Sequence, residues 1–184
     1  MTLYHGSPTG ALTQLIPSLS EHNKPYIYFS SNPVVALLYA VKPVPKPFSF
    51  YPYGFGSNGE IIYSEYFKNS FESIYKGQVG YIYECDNVTE VENPTQISCA
   101  YTVTKPVEIN RVTEILDCYE QFKEYEKQGL FRIRAFEDIS ANEMKIVSED
   151  FENYIHKYDL RNNPDNEMSL FIKTNFPHIW DVKK

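Results

Sequence analysis

The chain has 184 residues, 42% of them hydrophobic, and a formal net charge of -7. This length and composition suit one domain with a substantial core. The acidic balance argues against a protein that holds nucleic acid through its phosphates, and against binding to an anionic membrane surface. No apolar run is long enough to span a bilayer, and we expect no signal peptide.

Three cysteines, without a CxxC spacing, predict neither a disulfide framework nor a zinc site. They favour a reducing, cytoplasmic compartment. No spacing of histidine, cysteine and carboxylate residues indicates a metal site.

The first residues predict a short strand, residues 1–5, that enters a turn at His5-Gly6-Ser7-Pro8. Residues 9–24 predict a loop with three buried apolar anchors. These anchors are Leu12, Leu15 and Ile16.

Tyr26–Phe29 is a run of strand-forming residues. Asn32 can then cap a helix, and Pro33 fits its first turn. The apolar residues 34–41 predict a short, largely buried helix, which ends before Pro43.

Residues 42–59 alternate prolines and glycines with aromatic residues, which predicts a loop. Its aromatic side chains either cover a ligand or pin the loop to the surface. Residues 60–76 place aromatic side chains at helical spacing and predict an amphipathic helix that ends at Gly77.

Strands are predicted at Tyr81–Cys85 and within residues 97–107. Thr113 is predicted to cap a helix over residues 114–127. A short strand over residues 131–134 precedes two further helices. The first begins at the capping box that opens at Ser140, and the second covers Met168–Phe176.

Two of these stretches together resemble the ADP-ribosyltransferase superfamily, on the branch of poly(ADP-ribose) polymerases and diphtheria-type toxins. The first motif of that branch is a hydrophobic-aromatic-His-Gly-Ser/Thr run, and this chain has Leu3-Tyr4-His5-Gly6-Ser7. The second is an aromatic strand followed by a helix that ends in a tyrosine. Here Ile27-Tyr28-Phe29 is followed by Tyr39, eleven positions after Tyr28.

The resemblance implies that NAD is the substrate and assigns a role to each motif residue. His5 would hydrogen-bond the adenosine ribose, and the backbone of Gly6, flanked by Ser7, would hold the nicotinamide carboxamide. Tyr28 and Tyr39 would sandwich the nicotinamide ring. The family places a polar residue one helical turn before the second tyrosine, where this chain has Ala36.

The family's third motif supplies a catalytic glutamate from a later strand, whose carboxylate stabilises the cation formed as the glycosidic bond breaks. The strand that best fits this position, Ser98–Val103, carries no acidic residue. Glu84 is the nearest carboxylate on a predicted strand and is the candidate catalytic residue. Glu60 and Glu65 are weaker candidates.

The resemblance implies an α+β fold with an ADP-ribosyltransferase-like split into mostly antiparallel sheets around an NAD cleft, with helices outside. Residues 1–109 would form the cleft, and residues 110–184 a helical part of the same domain. The implied activity is that of a mono-ADP-ribosyltransferase or NAD glycohydrolase, with a protein acceptor favoured over nucleic acid. The alternative is a degenerate relative that binds NAD, ADP-ribose or a partner without catalysis. An RNA 2′-phosphotransferase-like enzyme is disfavoured by the acidic charge.

Overall fold

Eleven strands and six α-helices follow one another in a computed structural model that describes residues 1–19, 24–44 and 52–181. The strands are β1 (Leu3–Ser7), β2 (Gln14–Leu15), β3 (Ser18–Leu19), β4 (Pro25–Ser30), β5 (Tyr53–Phe55), β6 (Ile61–Ser64), β7 (Gly80–Cys85), β8 (Ala100–Val103), β9 (Val107–Glu108), β10 (Arg111–Ile115) and β11 (Phe131–Arg134). The helices are α1 (Pro33–Leu38), α2 (Ser70–Tyr75), α3 (Cys118–Lys127), α4 (Ala141–Lys157), α5 (Glu167–Asn175) and α6 (Pro177–Trp180). The predicted α+β class with mostly antiparallel sheets is confirmed.

The chain divides into two compact units. The first contains Met1–Pro43 and Ile74–Leu130, and the second contains Val44–Ser73 and Phe131–Lys184. The sequence analysis assigned residues 1–109 to the cleft and residues 110–184 to a helical part of the same domain. The boundary between these two parts is not a boundary between the units, because β10 and α3 belong to the first unit.

The first unit is built on an antiparallel sheet in the order β10-β7-β1-β4, with β3 and β8 both paired to β4. Alternate residues of these strands face one hydrophobic cluster. Its buried members are Leu3, Leu15, Ile27, Phe29, Tyr83, Cys85 and Val103.

The predicted helix after β4 is confirmed. The Asn32 side chain accepts a hydrogen bond from the Val34 N–H group, and Pro33 occupies the first turn. The helix ends at Leu38, three residues earlier than predicted. Five of its six residues, from Val34 onward, are buried.

The second unit combines a three-stranded sheet, in the order β11-β6-β5, with the C-terminal helices. Strand β11 runs parallel to β6, and β5 is antiparallel to it. The predicted capping box is present, since Ser140 and Glu143 bond each other's backbone N–H groups at the start of α4. A second apolar cluster is formed by Phe151, Ile155, Leu160, Phe171, Ile172, Phe176 and Ile179.

The prediction of one helix over residues 60–76 is wrong. Ile61–Ser64 forms strand β6, and only Ser70–Tyr75 is helical. The aromatic residues fit a helical period, but Ile61 and Tyr63 also alternate with less buried residues, as strand residues do. The pairing of β6 with β11, about seventy residues later in the chain, decides between the two patterns.

The helix start at Thr113 is also wrong. Thr113 pairs with Ile82 inside β10, and Asp117 caps α3 instead. Within the predicted loop of residues 42–59, Tyr53–Phe55 forms β5, while residues 45–51 lie outside the described residues. Ile16 is 69% exposed and does not anchor the first loop, whereas Leu15 does.

Candidate functional site

Strand β1 pairs very differently with its two neighbours. It shares five residue pairs with β7, from Leu3 opposite Cys85 to Ser7 opposite Tyr81. With β4 it shares only the pair of Tyr4 and Ser30. Beyond that pair, the side chain of His5 makes the next connection, because its Nδ1 lies 2.8 Å from the Tyr28 carbonyl oxygen. We call this place, formed by His5, Gly6, Ser7, Tyr28 and Tyr39, the β1–β4 junction.

His5 is held in one orientation at the junction. A carbonyl oxygen can only accept a hydrogen bond, so Nδ1 carries the proton and donates it to Tyr28. The ring also lies beside Phe29 and Tyr83, with centroid distances of 6.1 and 6.4 Å. Burial lowers the pKa of His5 below its usual value, and the bond to the Tyr28 carbonyl partly offsets this effect. His5 is therefore neutral near pH 7, and its Nε2 is a hydrogen-bond acceptor.

Tyr83 and Ser7 fix the chain that follows β1. The Tyr83 hydroxyl donates to the Thr9 carbonyl at 2.8 Å and accepts from the Leu12 N–H group at 3.3 Å. The Ser7 hydroxyl oxygen accepts from the Thr9 N–H group at 3.1 Å. Since Tyr83 lies opposite His5 in the sheet, these bonds hold residues 9–12 beside the face from which His5 projects.

Gly6 is required by the packing of helix α1. A Cβ atom at this position would lie 1.9 Å from the carbonyl oxygen of Ala36 and 3.0 Å from the backbone nitrogen of Ala40. Ala36 itself is buried, so the position where the resemblance expects a polar side chain is a packing contact with β1. The close approach of α1 thus gives a structural reason for the glycine.

The two motif tyrosines lie on one side of the sheet. Tyr28 and Ser30 are two residues apart in β4, and Ser30 pairs with Tyr4, so Tyr28 shares the face of Tyr4 and Gly6. Helix α1 packs on Gly6 from that same side, and Tyr39 follows its last residue as the C-cap. Tyr28 is 36% exposed and Tyr39 is 50% exposed, which leaves surface of both side chains accessible to a ligand.

The structure does not bring Glu84 to His5. Glu84 lies opposite Tyr4, and His5 lies opposite Tyr83, so Glu84 and His5 project from opposite faces of the sheet. Both Glu84 oxygens accept hydrogen bonds from Arg111, at 2.7 and 2.6 Å.

The two weaker carboxylate candidates belong to the second unit. Both accept backbone hydrogen bonds, Glu60 from Asn58 and Glu65 from Phe71.

Glu84 instead shares the face of Tyr4 and Tyr28, and a second carboxylate on that face lies in the row of Tyr28 itself. Strand β8, where the third motif is expected, pairs with β4 and places Thr102 opposite Tyr28. Glu92 lies opposite Thr102 on the other side and is held there by two backbone hydrogen bonds of 3.0 and 2.8 Å. Tyr28, Thr102 and Glu92 thus form one row across the sheet, and the Glu92 side chain is exposed. Sequence reasoning missed Glu92 because its stretch carries no strand pattern that predicts this isolated bridge.

The cysteines and the possible metal ligands of the described residues form no reactive thiol site and no metal site. The three cysteine thiols are free and buried, and burial raises the pKa of Cys85 and of Cys118 to about 11. No three histidine, cysteine or acidic side chains of the described ranges are grouped so that they could hold a metal ion. None of the helices in the described part of the chain has both the length and the apolar character to cross a membrane.

Comparisons of the chain with protein-family models, with curated proteins and with solved structures found no match.

Proposed function

We propose that the protein binds NAD at the β1–β4 junction, and that its α+β fold is of the ADP-ribosyltransferase type. The observation that carries this proposal is the interruption of the β1–β4 ladder at His5. Residues that are sequence neighbours in a strand project from opposite faces. A single ligand can reach both His5 and the Tyr28 side only where the two strands part, and the motif residues occupy this place.

The exposed groups at the junction suit the parts of NAD. The nicotinamide ring is flat and cationic, and each tyrosine face that it meets contributes about 1 kcal/mol through stacking and cation–π attraction. The neutral His5, whose Nδ1 donates to Tyr28, offers Nε2 to a group that donates a hydrogen bond. A ribose hydroxyl is such a donor. His5 then positions the ligand and does not transfer a proton.

The reaction that the resemblance implies for NAD bound at this place is cleavage of the bond between nicotinamide and ribose. Transfer of ADP-ribose to a protein would make the chain a mono-ADP-ribosyltransferase, and transfer to water would make it an NAD glycohydrolase. Either reaction gains from a carboxylate that stabilises the developing ribosyl cation. Glu84 and Glu92 both lie on the face of Tyr28, but only Glu92 lies in the same row across the sheet, next to Thr102. Glu84 lies two strands away from β4 and is bound to Arg111.

A second function is a protein that binds NAD or ADP-ribose without cleaving it. Two observations favour it. Strand β8 carries no acidic residue, and Arg111 engages both oxygens of Glu84. The acidic net charge of the chain favours a protein over nucleic acid as acceptor or partner in either case.

Calorimetric titration with NAD tests the binding. Tyr39→Ala removes one face of the proposed sandwich and should weaken binding by about 1–3 kcal/mol. The control is Tyr158→Ala, which removes a tyrosine of similar exposure in the second unit. Absence of binding at millimolar NAD, or equal affinities of the two variants, would reject the proposed site.

Release of nicotinamide separates the two functions. If the protein is an enzyme, release should occur with NAD, survive Glu84→Gln and fall strongly in Glu92→Gln. Glu90→Gln is the matched control, because Glu90 is exposed two residues away and pairs with Lys105. Intact binding without release selects the non-catalytic function.

A further inference from the structure

The three-stranded sheet of the second unit carries a pocket of about 230 Å³. Strand pairing places Gly54 opposite Ile62, and Arg134 opposite Ser64. Because Ile62 and Ser64 are two residues apart in β6, these four positions share one face of the sheet. The other residues of β6 face the buried interior of the unit.

Arg134 is fixed in the wall of this pocket. Its Nη2 donates to the Glu143 carboxylate at 2.5 Å. The second oxygen of Glu143 accepts bonds from the N–H group and the hydroxyl of Ser140, at 3.0 and 2.7 Å. The guanidinium group is thus held by a side chain that is itself held by the capping box of α4.

Most of the hydrogen-bonding capacity of Arg134 is unused. A guanidinium has five N–H donors, and within the described ranges only the bond to Glu143 is formed. The Nε atom is buried without an acceptor there. The side chain still exposes 27% of its surface, so its η nitrogens are the groups that a ligand oxygen can approach. A carboxylate matches the planar guanidinium best, because it can accept two parallel bonds.

The shape of the pocket favours a flat and small ligand. Tyr66, two residues after Ser64, contributes an aromatic ring to its lining. Tyr53 and Phe55 also border the pocket, but they lie opposite Tyr63 and Ile61, so their side chains project from the other face of the sheet. At Gly54 the space above the sheet is open, since a Cβ atom there would meet nothing within 4 Å. The volume is below the roughly 300–1,000 Å³ of pockets for drug-sized ligands, so a single ring fits and a dinucleotide does not.

The charges on this face are balanced, and the free donors of Arg134 select an anion. Arg132 shares the face of Arg134, because it lies opposite Ile62, and it is exposed. These two positive charges are matched by Glu143 and by Glu60, whose carboxylate lies over Gly56. Hydrogen bonds from Ser140 and Arg134 lower the pKa of Glu143 to about 2.

We infer that this pocket binds a small aromatic carboxylate. The η nitrogens of Arg134 donate to its carboxylate, and its ring lies beside Tyr66 in the space above Gly54. The site lies wholly in the second unit and takes a different ligand class from the junction, so its existence does not depend on NAD binding.

Nuclear magnetic resonance of the full, nitrogen-15-labelled chain tests the site with benzoate as the probe. We expect saturable shifts at the Gly54 and Ser64 amides and at Arg134 Nε, with an apparent Kd on the order of 1 mM or lower. Benzyl alcohol lacks the charge and cyclohexanecarboxylate lacks the flat ring, and both should bind at least about five-fold more weakly. No shifts up to about 10 mM benzoate, or shifts confined to other residues, would overturn the inference.

Two variants with a matched control locate the binding. Gly54→Val should fill the open space, abolish the benzoate shifts and leave the fold intact, because Gly54 has no left-handed φ and its Cβ meets no atom. Arg134→Lys keeps the charge but loses the planar fork, and should weaken binding at least about ten-fold. Arg132→Lys, on the same face but outside the lining, should bind as the wild type does. Unchanged binding in Gly54→Val would also overturn the inference.

Discussion

Gly6 and Gly54 stand at the centres of the two sites, and they differ in what surrounds them. At Gly6 the missing side chain lets helix α1 approach β1 until a carbonyl oxygen occupies the place of the Cβ atom. At Gly54 the same absence leaves empty space above the sheet. The packing of α1 on β1 requires glycine at position 6, whereas glycine at position 54 leaves the pocket unfilled. Helix packing can therefore explain a glycine that a sequence motif alone would attribute to ligand binding.

The polar groups at the two sites also differ in their setting. His5 replaces a missing ladder connection between two strands and is neutral because it is buried. Arg134 lies at the end of a complete parallel ladder and keeps its charge beside Glu143. The junction therefore suits hydroxyl groups and a cationic ring, whereas the pocket suits an anion.

The largest expected effect comes from adding one methyl group to each glycine. Gly6→Ala should lower the free energy of unfolding by about 3 kcal/mol or more, because a backbone oxygen must move. Gly54→Ala should change it by less than about 1 kcal/mol, and in the stabilising direction if at all. Urea denaturation of both variants measures the contrast, and similar values would show that α1 does not pack on Gly6 as described.

A smaller effect is expected at the Arg134–Glu143 pair. Glu143→Gln should lower stability by about 1 kcal/mol near pH 7, since a charged partner of the cap and of Arg134 becomes neutral. The pKa of Glu143 is lowered in the folded state, from 4.5 to about 2. The stabilisation is thus complete above pH 4.5 and is lost as the pH falls toward 2.

Thermal unfolding of the wild type and Glu143→Gln across this pH range measures the difference. The two curves should converge at the acidic end. A difference that stays constant down to pH 2 would assign the effect to packing and not to the charge.

The smallest effect is expected at the Arg111–Glu84 pair of the first unit. Arg111 is 69% exposed, so Glu84→Gln should cost less than about 1 kcal/mol of stability despite the two hydrogen bonds. It should leave the affinity for NAD unchanged, because Glu84 lies two strands away from Tyr28 and both of its oxygens are bound to Arg111. A large loss of affinity, measured by the same calorimetric titration, would show that Glu84 is part of the NAD-binding site.

Local signals in the sequence predicted the elements that depend on neighbouring residues. The Asn32 cap, the capping box at Ser140 and the strand at Tyr26–Phe29 are examples, and all are confirmed. The predictions failed at Ile61–Ser64 and at Arg111–Ile115, where a strand forms because a distant strand pairs with it. Such pairing has no signature within the segment itself.

The same limit applies to the candidate site. The sequence predicted that the segments of His5 and Tyr28 belong together, and the structure makes them neighbouring strands joined by a side-chain hydrogen bond. The register of β7 against β1 determines the face of Glu84, and a shift of one residue would reverse it. The position of Glu92 beside Thr102 likewise depends on a single bridge.

The nitrogen-15 spectrum of the His5 imidazole tests the proposed binding at the junction most directly. Without ligand at about pH 7, it should show a neutral ring with the proton on Nδ1, as the bond to the Tyr28 carbonyl requires. Addition of NAD should shift the Nε2 resonance in the direction of hydrogen-bond acceptance, with the same concentration dependence as calorimetric binding, while His178 of the second unit stays unchanged. An Nε2 resonance of His5 that does not move at saturating NAD would contradict binding at the junction.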